Sequence, residues 1–229
     1  MIDRPVIIVG MHRSGTSCLA GSLEQCGLYL GDVNRSAPFN LRGNCENERI
    51  RELHDRILAR NDCRWDIPPT SPIIWTEDEK ADVSRLISQE YGAHAAWGFK
   101  DPRTLFLLDG WLELFPNLRL VGTVRPPSEV AASLLGRDQF DQLTSLSLWR
   151  SYNWQLAQAA KQFGMLVVRY DLNPCRYQQR VRQVAKRLGL DADSPLDFRT
   201  EHLRHHDLTD DVEGEAGVLW NQLCELATE

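Results

Sequence analysis

The chain has 229 residues, 42% of them hydrophobic and 25% charged, enough to bury a core without disulfides or structural metals. Its 26 basic and 32 acidic residues leave a formal charge of −6, which argues against a general nucleic-acid coat or an anionic-membrane binder. No run approaches the ~18 apolar residues of a membrane span. In chain order, the apolar run Val6-Ile7-Ile8-Val9 predicts a strand that leads through residues 10–15 into a helix over 17–26, closed by Gly27. A loop rich in Gly, Asn, Pro and Ser fills 30–44. A helix over 46–60 then puts Ile50, Leu53, Ile57 and Leu58 on one face. Residues 62–72 form a loop containing Pro68-Pro69, followed by an amphipathic helix over 77–91. Short strands are expected at 96–99, ending at Lys100, and at 118–124, ending at Arg125. Pro126-Pro127 suits the start of a helix running to 135. A long helix over 143–163, a buried strand at 165–168 and a helix over 177–188 stopped by Gly189 come next. A polar, irregular stretch at 197–211 precedes a final helix over 213–227. Short β-branched runs alternating with longer amphipathic stretches predict an α/β fold. No linker divides the chain, so a single domain over 1–229 with a small, mostly parallel sheet between helices is the economical reading.

Six scattered cysteines without a C-x-x-C pair, and an N-terminus without the features of a secretory signal, lead us to expect a cytoplasmic protein with free thiols. The basic residues divide into twenty-two arginines and only four lysines, Lys80, Lys100, Lys161 and Lys186. Compositional bias accounts for most of that excess. Planar forks gripping phosphate or sulfate are the functional alternative.

The first segment with chemical content is Val9-Gly10-Met11-His12-Arg13-Ser14-Gly15-Thr16-Ser17. A strand feeding a glycine turn and then a helix cradles phosphates, because backbone N–H groups point inward and the helix N-terminus adds positive potential. The G-x-x-x-x-G spacing matches the nucleotide P-loop, but Thr16 stands where that motif requires Lys. Arg13 is the cation inside this loop. The second segment runs from Leu120 to Ser133, with Arg125 at a strand end and Ser133 eight residues later, two turns into the next helix. The third is Trp97-Gly98-Phe99-Lys100-Asp101-Pro102-Arg103, which puts a lysine directly after an apolar strand.

Together these segments resemble the sulfotransferases that use 3′-phosphoadenosine-5′-phosphosulfate (PAPS), in the form with Arg before Ser-Gly-Thr found in tyrosylprotein, carbohydrate and many bacterial enzymes. The resemblance implies a P-loop-like three-layer α/β/α fold with a central, mostly parallel sheet. It implies a 5′-phosphosulfate loop made of Arg13, Ser14, Gly15, Thr16 and Ser17, and a 3′-phosphate site made of Arg125 and Ser133. It also implies that Lys100 neutralises the bridging oxygen during transfer, with Arg13 opposite it. A weaker likeness over Phe198-Arg199 to Leu203-Arg204-His205-His206 puts Arg204 near the nucleotide. The Arg-Lys-Gly motif of the cytosolic steroid- and phenol-sulfating branch is absent.

An acceptor hydroxyl needs a general base. Glu46 is the best-placed acid, with Glu48 and Asp101 as rivals; helix-terminus charge is an equally good account of Glu46. His54 reads as a helix-face residue and His12 as a loop residue beside the sulfuryl site. His202, His205, His206 and Asp207 lack the compact spacing of a metal site, so no metal is expected. The acceptor could be a small molecule, carbohydrate, lipid or peptide, contacted by the loops at 30–45 and 62–76; no nucleic-acid partner is expected. Seven tryptophans offer stacking platforms, though each is more often core. Two rival readings stay open: a P-loop nucleotide kinase or NTPase with Asp101 as a Mg²⁺ ligand, and a sulfotransferase-like nucleotide-binding module without turnover.

Overall fold

Val6, Ile7, Ile8 and Val9 are all fully buried, as a strand covered on both faces must be. Alternation along this strand sends Ile7 and Val9 to one core cluster and Val6 and Ile8 to the other, so one four-residue run anchors both layers. The computed structural model of the chain describes residues 4–38, 40, 42–199 and 214–227. Its elements are β1 (Val6–Val9), α1 (Thr16–Gln25), α2 (Glu48–Arg60), α3 (Glu77–Tyr91), β2 (Gly98–Lys100), α4 (Thr104–Leu114), β3 (Arg119–Val124), α5 (Pro127–Asp138), α6 (Gln142–Phe163), β4 (Leu166–Arg169), α7 (Pro174–Leu188) and α8 (Glu215–Leu226).

The four strands form one parallel sheet in the order β2-β1-β3-β4. Helices α1 and α7 cover the face of Val6 and Ile8, with Leu19, Leu23, Val181 and Val184 in the contact. Helices α2 to α6 and α8 cover the other face, where Trp111, Trp149, Tyr152 and Phe99 are fully buried. The expected α/β architecture with a parallel sheet is therefore observed. β1 has β2 on one side and β3 on the other, so the chain turns in opposite directions at its end. That is the switch point at which open α/β sheets form a crevice.

Several boundaries differ from the sequence reading for identifiable reasons. Helix α2 starts at Glu48, not at 46, because Asn47 caps it: its side chain accepts from the Ile50 N–H at 3.1 Å. Glu46 therefore precedes the helix, next to the bridge that pairs Val33 with Asn47. Helix α7 begins three residues earlier than periodicity suggests, since Asn173 caps and Pro174 occupies the first turn. Strand β2 covers Gly98–Lys100; Trp97 falls just outside it, bridged to Tyr29. Helix α4 has no counterpart in the sequence reading. Its sequence, TLFLLDGWLEL, is apolar almost all round, so it carries little amphipathic signal. Among the described residues no helix is long and apolar enough to cross a membrane.

Candidate active site

The loop between β1 and α1 closes against β3. Gly10 has φ +146°, and a Cβ there would sit 2.4 Å from the Thr123 carbonyl oxygen, so only glycine fits this approach. Thr123 Oγ1 donates to the Ser14 carbonyl at 3.0 Å and stitches the loop to β3. Arg13 and Gly15 both take left-handed backbone, with φ of 67° and 84°. For Arg13, a non-glycine residue, that conformation costs on the order of 1–2 kcal/mol. Strain of this kind persists where surrounding structure over-determines it, commonly at ligand-binding loops. Ser17 Oγ donates to the Asn44 carbonyl at 2.9 Å and ties the first turn of α1 to the loop before α2.

The residues from β3 and α5 meet this loop directly. Arg13 Nε donates to Ser133 Oγ at 2.9 Å across 120 positions of sequence. Arg125 Nε donates to Glu129 Oε2 at 2.7 Å, and Nη1 donates to the Arg13 carbonyl at 3.2 Å. Its guanidinium carbon lies 5.4 Å from the centre of the Tyr170 ring. Arg125 Nη2 is buried and has no hydrogen-bond partner among the described residues. Burial, with Arg137 and Arg125 nearby, pulls the Arg13 guanidinium down to about 10. Three cations converging on one place is the electrostatic arrangement an anion relieves.

Across the crevice, β2 ends at Lys100, whose Nζ stands 2.5 Å from Glu46 Oε1; both residues are buried. Asp101, the next residue, is saturated. Its Oδ1 accepts from the Arg103 backbone N–H at 2.9 Å and from Arg103 Nη1 at 3.0 Å, and its Oδ2 faces His54 Nδ1 at 2.9 Å. Burial alone would raise the Asp101 carboxyl, but the Arg103 charge and the His54 hydrogen bond hold it well below the usual carboxylate range. His54, on the buried face of α2, is fully enclosed inside this network. Arg103 Nε also lies 2.7 Å from Asp55 on α2. His12 packs against Trp65, with ring centres 4.7 Å apart, and against the edge of Tyr152. Burial, then Arg103 and Arg137, keep the His12 pKa well below its ordinary value, so the imidazole is neutral.

These segments enclose a cavity of about 820 Å³. Arg13, Gly15, Thr16, Ser17, Glu46, Lys100, Arg125 and Ser133 all line it. Ser14 is fully buried, with its Oγ unpartnered among the described residues, and is not on the cavity wall. Asp101 and His54 stand behind the wall, while Glu48 reaches it but is held by Arg51 at 2.6 Å. Sequence reasoning missed Arg137, Arg103, Tyr170 and Phe198 as lining residues. The signals were present: Arg137 is one helical turn beyond Ser133, and Arg103 completes the Lys-Asp-Pro segment. Trp65 is the one tryptophan among the described lining residues. Arg204, with His202, His205, His206 and Asp207, lies outside the described residues.

Comparison with known proteins bears on the family and the fold. A family model described as the sulfotransferase family matches residues 5–195. Among solved structures, the chain is similar to a sulfotransferase from Alicyclobacillus acidocaldarius, at 20% identity and a TM-score of 0.57, covering 98% of this chain and 96% of that one. It is also similar to the sulfotransferase domain of the Synechococcus PCC 7002 olefin synthase, at 18% identity and a TM-score of 0.54, covering 99% and 94%. At these identities the structural likeness speaks to the fold. No curated protein matches the chain.

Proposed function

The chain belongs to the sulfotransferase family, and we propose that its cavity serves sulfuryl transfer, with PAPS as the donor and a hydroxyl or amine as the acceptor. The products are then the sulfated acceptor and adenosine 3′,5′-bisphosphate. The observation that carries this reading is Arg125, a buried guanidinium in the cavity wall with Nη2 unpartnered. Leaving such a group unsatisfied costs on the order of 1–3 kcal/mol, which a ligand oxygen would recover. A cavity of about 820 Å³ also suits a nucleotide-sized ligand.

In this assignment Arg125 and Ser133 hold the 3′-phosphate. Gly15, Thr16 and Ser17, at the N-terminus of α1, take the 5′-phosphate through backbone N–H groups and the Thr16 hydroxyl, while Ser14, expected to join them, is buried off the cavity wall and the Ser17 hydroxyl is spent on Asn44. Arg204 would add a contact to the nucleotide. PAPS supplies the sulfuryl group, and the work of the protein is positioning and charge stabilisation, as in phosphoryl transfer. Arg13 and Lys100 bracket the transferring group and stabilise the charge that develops on the leaving phosphate. Glu46 takes the proton from the acceptor. Its rivals are weaker, because Asp101 is saturated and Glu48 is engaged by Arg51. The same saturation weakens the kinase reading, which needs Asp101 for Mg²⁺. At rest Lys100 and Glu46 neutralise each other. When Lys100 turns to the leaving phosphate, the Glu46 carboxylate is released to act as the base. The acceptor class is a small molecule, carbohydrate, lipid or peptide, with Trp65 and the 62–76 loop beside it.

Calorimetric titration with adenosine 3′,5′-bisphosphate tests the nucleotide site. Arg125→Lys keeps the charge but removes the planar fork, and should weaken binding at least about tenfold with little change in melting temperature. Unchanged affinity would remove Arg125 from the site. Incubation with labelled PAPS and a panel of hydroxyl and amine acceptors tests the reaction itself.

A further inference from the structure

Behind the cavity wall, one hydrogen-bonded chain joins the two segments that carry Lys100 and Glu46. It begins at Trp111 on α4, whose Nε1 donates to His54 Nε2 at 2.9 Å. His54, on α2, faces Asp101 Oδ2 through Nδ1 at 2.9 Å. Asp101 follows Lys100 in sequence and accepts from both the backbone and side chain of Arg103. Arg103 returns to α2 by its ion pair with Asp55. His54 and Asp101 are almost completely buried, at 0% and 1% side-chain exposure.

The direction of every bond in this chain is determined. An indole N–H only donates, so His54 Nε2 must present its lone pair to Trp111. The ring proton is therefore on Nδ1, and the acceptor it meets is the Asp101 carboxylate. No other tautomer fits without setting two donors against each other. Aliphatic neighbours on α2, Ile50, Leu53, Ile57 and Leu58, would hold the helix in the core without His54, but apolar contacts are non-directional. The histidine adds a directional link between α2, whose capped start fixes Glu46, and the turn that fixes Lys100.

We propose that His54 is a positioning residue that sets the separation of the Lys100–Glu46 pair through Asp101. This rests on the reading above, in which that pair carries the acid–base chemistry. A misplacement of about 1 Å in such a pair can cost about 100-fold in turnover.

The test compares His54→Phe, which fills the space without the link, with His54→Gln, whose amide can accept from Trp111 and donate to Asp101. Conversion of PAPS to adenosine 3′,5′-bisphosphate is followed at saturating nucleotide, and nucleotide affinity is measured in parallel. We expect His54→Phe to lower kcat about 100-fold with nucleotide Kd unchanged, and His54→Gln to restore most of it. Trp111→Phe, which frees the ring to change tautomer, should lower kcat severalfold and serves if His54→Phe does not fold. Equal kcat across the set, or a loss of kcat matched by loss of nucleotide affinity, overturns the proposal. A crystal structure of His54→Phe or Trp111→Phe gives an answer independent of turnover: the Lys100–Glu46 contact should lengthen beyond hydrogen-bonding range, and an unchanged contact refutes the inference. Absence of PAPS turnover in the wild-type protein would instead count against the sulfotransferase reading itself.

Discussion

The two sides of the cavity differ in how their buried polar atoms are paired, although Arg103 Nε and Thr104 Oγ1 on the β2–α4 side also lack hydrogen bonds among the described residues. On the β1–α1 side, polar atoms are left open: His12 Nε2, Ser14 Oγ and Arg125 Nη2 are buried without hydrogen-bond partners among the described residues, and Arg13 holds a strained backbone. On the β2–α4 side, each oxygen of Asp101 and each ring nitrogen of His54 has a partner. Buried open valences in a folded protein call for an explanation, whereas a closed network rigidifies. In the proposed reading the first side is the receptor that takes the ligand, and the second is a frame that holds the backbone carrying Lys100 while leaving its side chain able to turn.

The sharpest way to break this contrast is to remove Lys100, one of the two cations, with Arg103, that this side presents to the cavity. Lys100→Ala should lower kcat about 10³-fold, the scale of losing a charge-stabilising donor, measured by PAPS turnover at saturating nucleotide. It should also cost stability, because Glu46 would be buried without its ion-pair partner. If nucleotide affinity fell as far as kcat, the division between receptor and frame would be wrong.

The loop side is sensitive to backbone. At Gly15 an added Cβ would lie 2.2 Å from the Tyr170 ring at φ +84°, so Gly15→Ala combines a left-handed penalty with overpacking. We expect about 3 kcal/mol lost in denaturant unfolding. Gly27 is the control: it has φ +94° but nothing within 4 Å, so Gly27→Ala should cost only about 1 kcal/mol. Equal effects would show that strain and not contact dominates.

The smallest effect concerns pH. Burial, with Arg103 and Arg137, lowers the His12 pKa in the fold. The unfolded chain takes up a proton below about 6.5 that the native state refuses, so stability falls as pH falls through that region, by up to about 1.4 kcal/mol per pH unit. His12→Phe keeps the packing against Trp65 and Tyr152 and should flatten the melting-temperature profile between neutral pH and pH 5.5.

Much of the receptor side was legible in the sequence because it is local. A strand, a glycine turn and a hydroxyl-rich helix start lie within a dozen residues, and Arg125 and Ser133 within nine. What joins them, the Arg13–Ser133 bond, is not anticipated by the sequence reading, which puts Arg13 in the first loop beside the transferring group and Ser133 in the helix after β3 at the 3′-phosphate. The frame was not legible. His54 falls at helical spacing on the apolar face of Ile50, Leu53, Ile57 and Leu58, but its partner Asp101 arrives from 47 positions away and no local pattern announces it. Helix α4 was missed for a different reason: Asp109 and Glu113 alone form its exposed polar side, a stripe too narrow to set a period in an otherwise apolar sequence. Caps were the remaining loss. Asn47 and Asn173 carry the start signals that periodicity alone places two and three residues wrong.

The strand order has a consequence for how the cavity comes into being. Its wall draws on the ends of β1, β2 and β3, and the contacts that close it span 54, 112 and 120 positions of chain. No short fragment contains both halves of any of these contacts. Contacts so remote in sequence are entropically costly to form early. Closure of the cavity is thus a late event in folding, and a chain that has gathered its helices but not aligned its three strands would have every lining residue and no cavity.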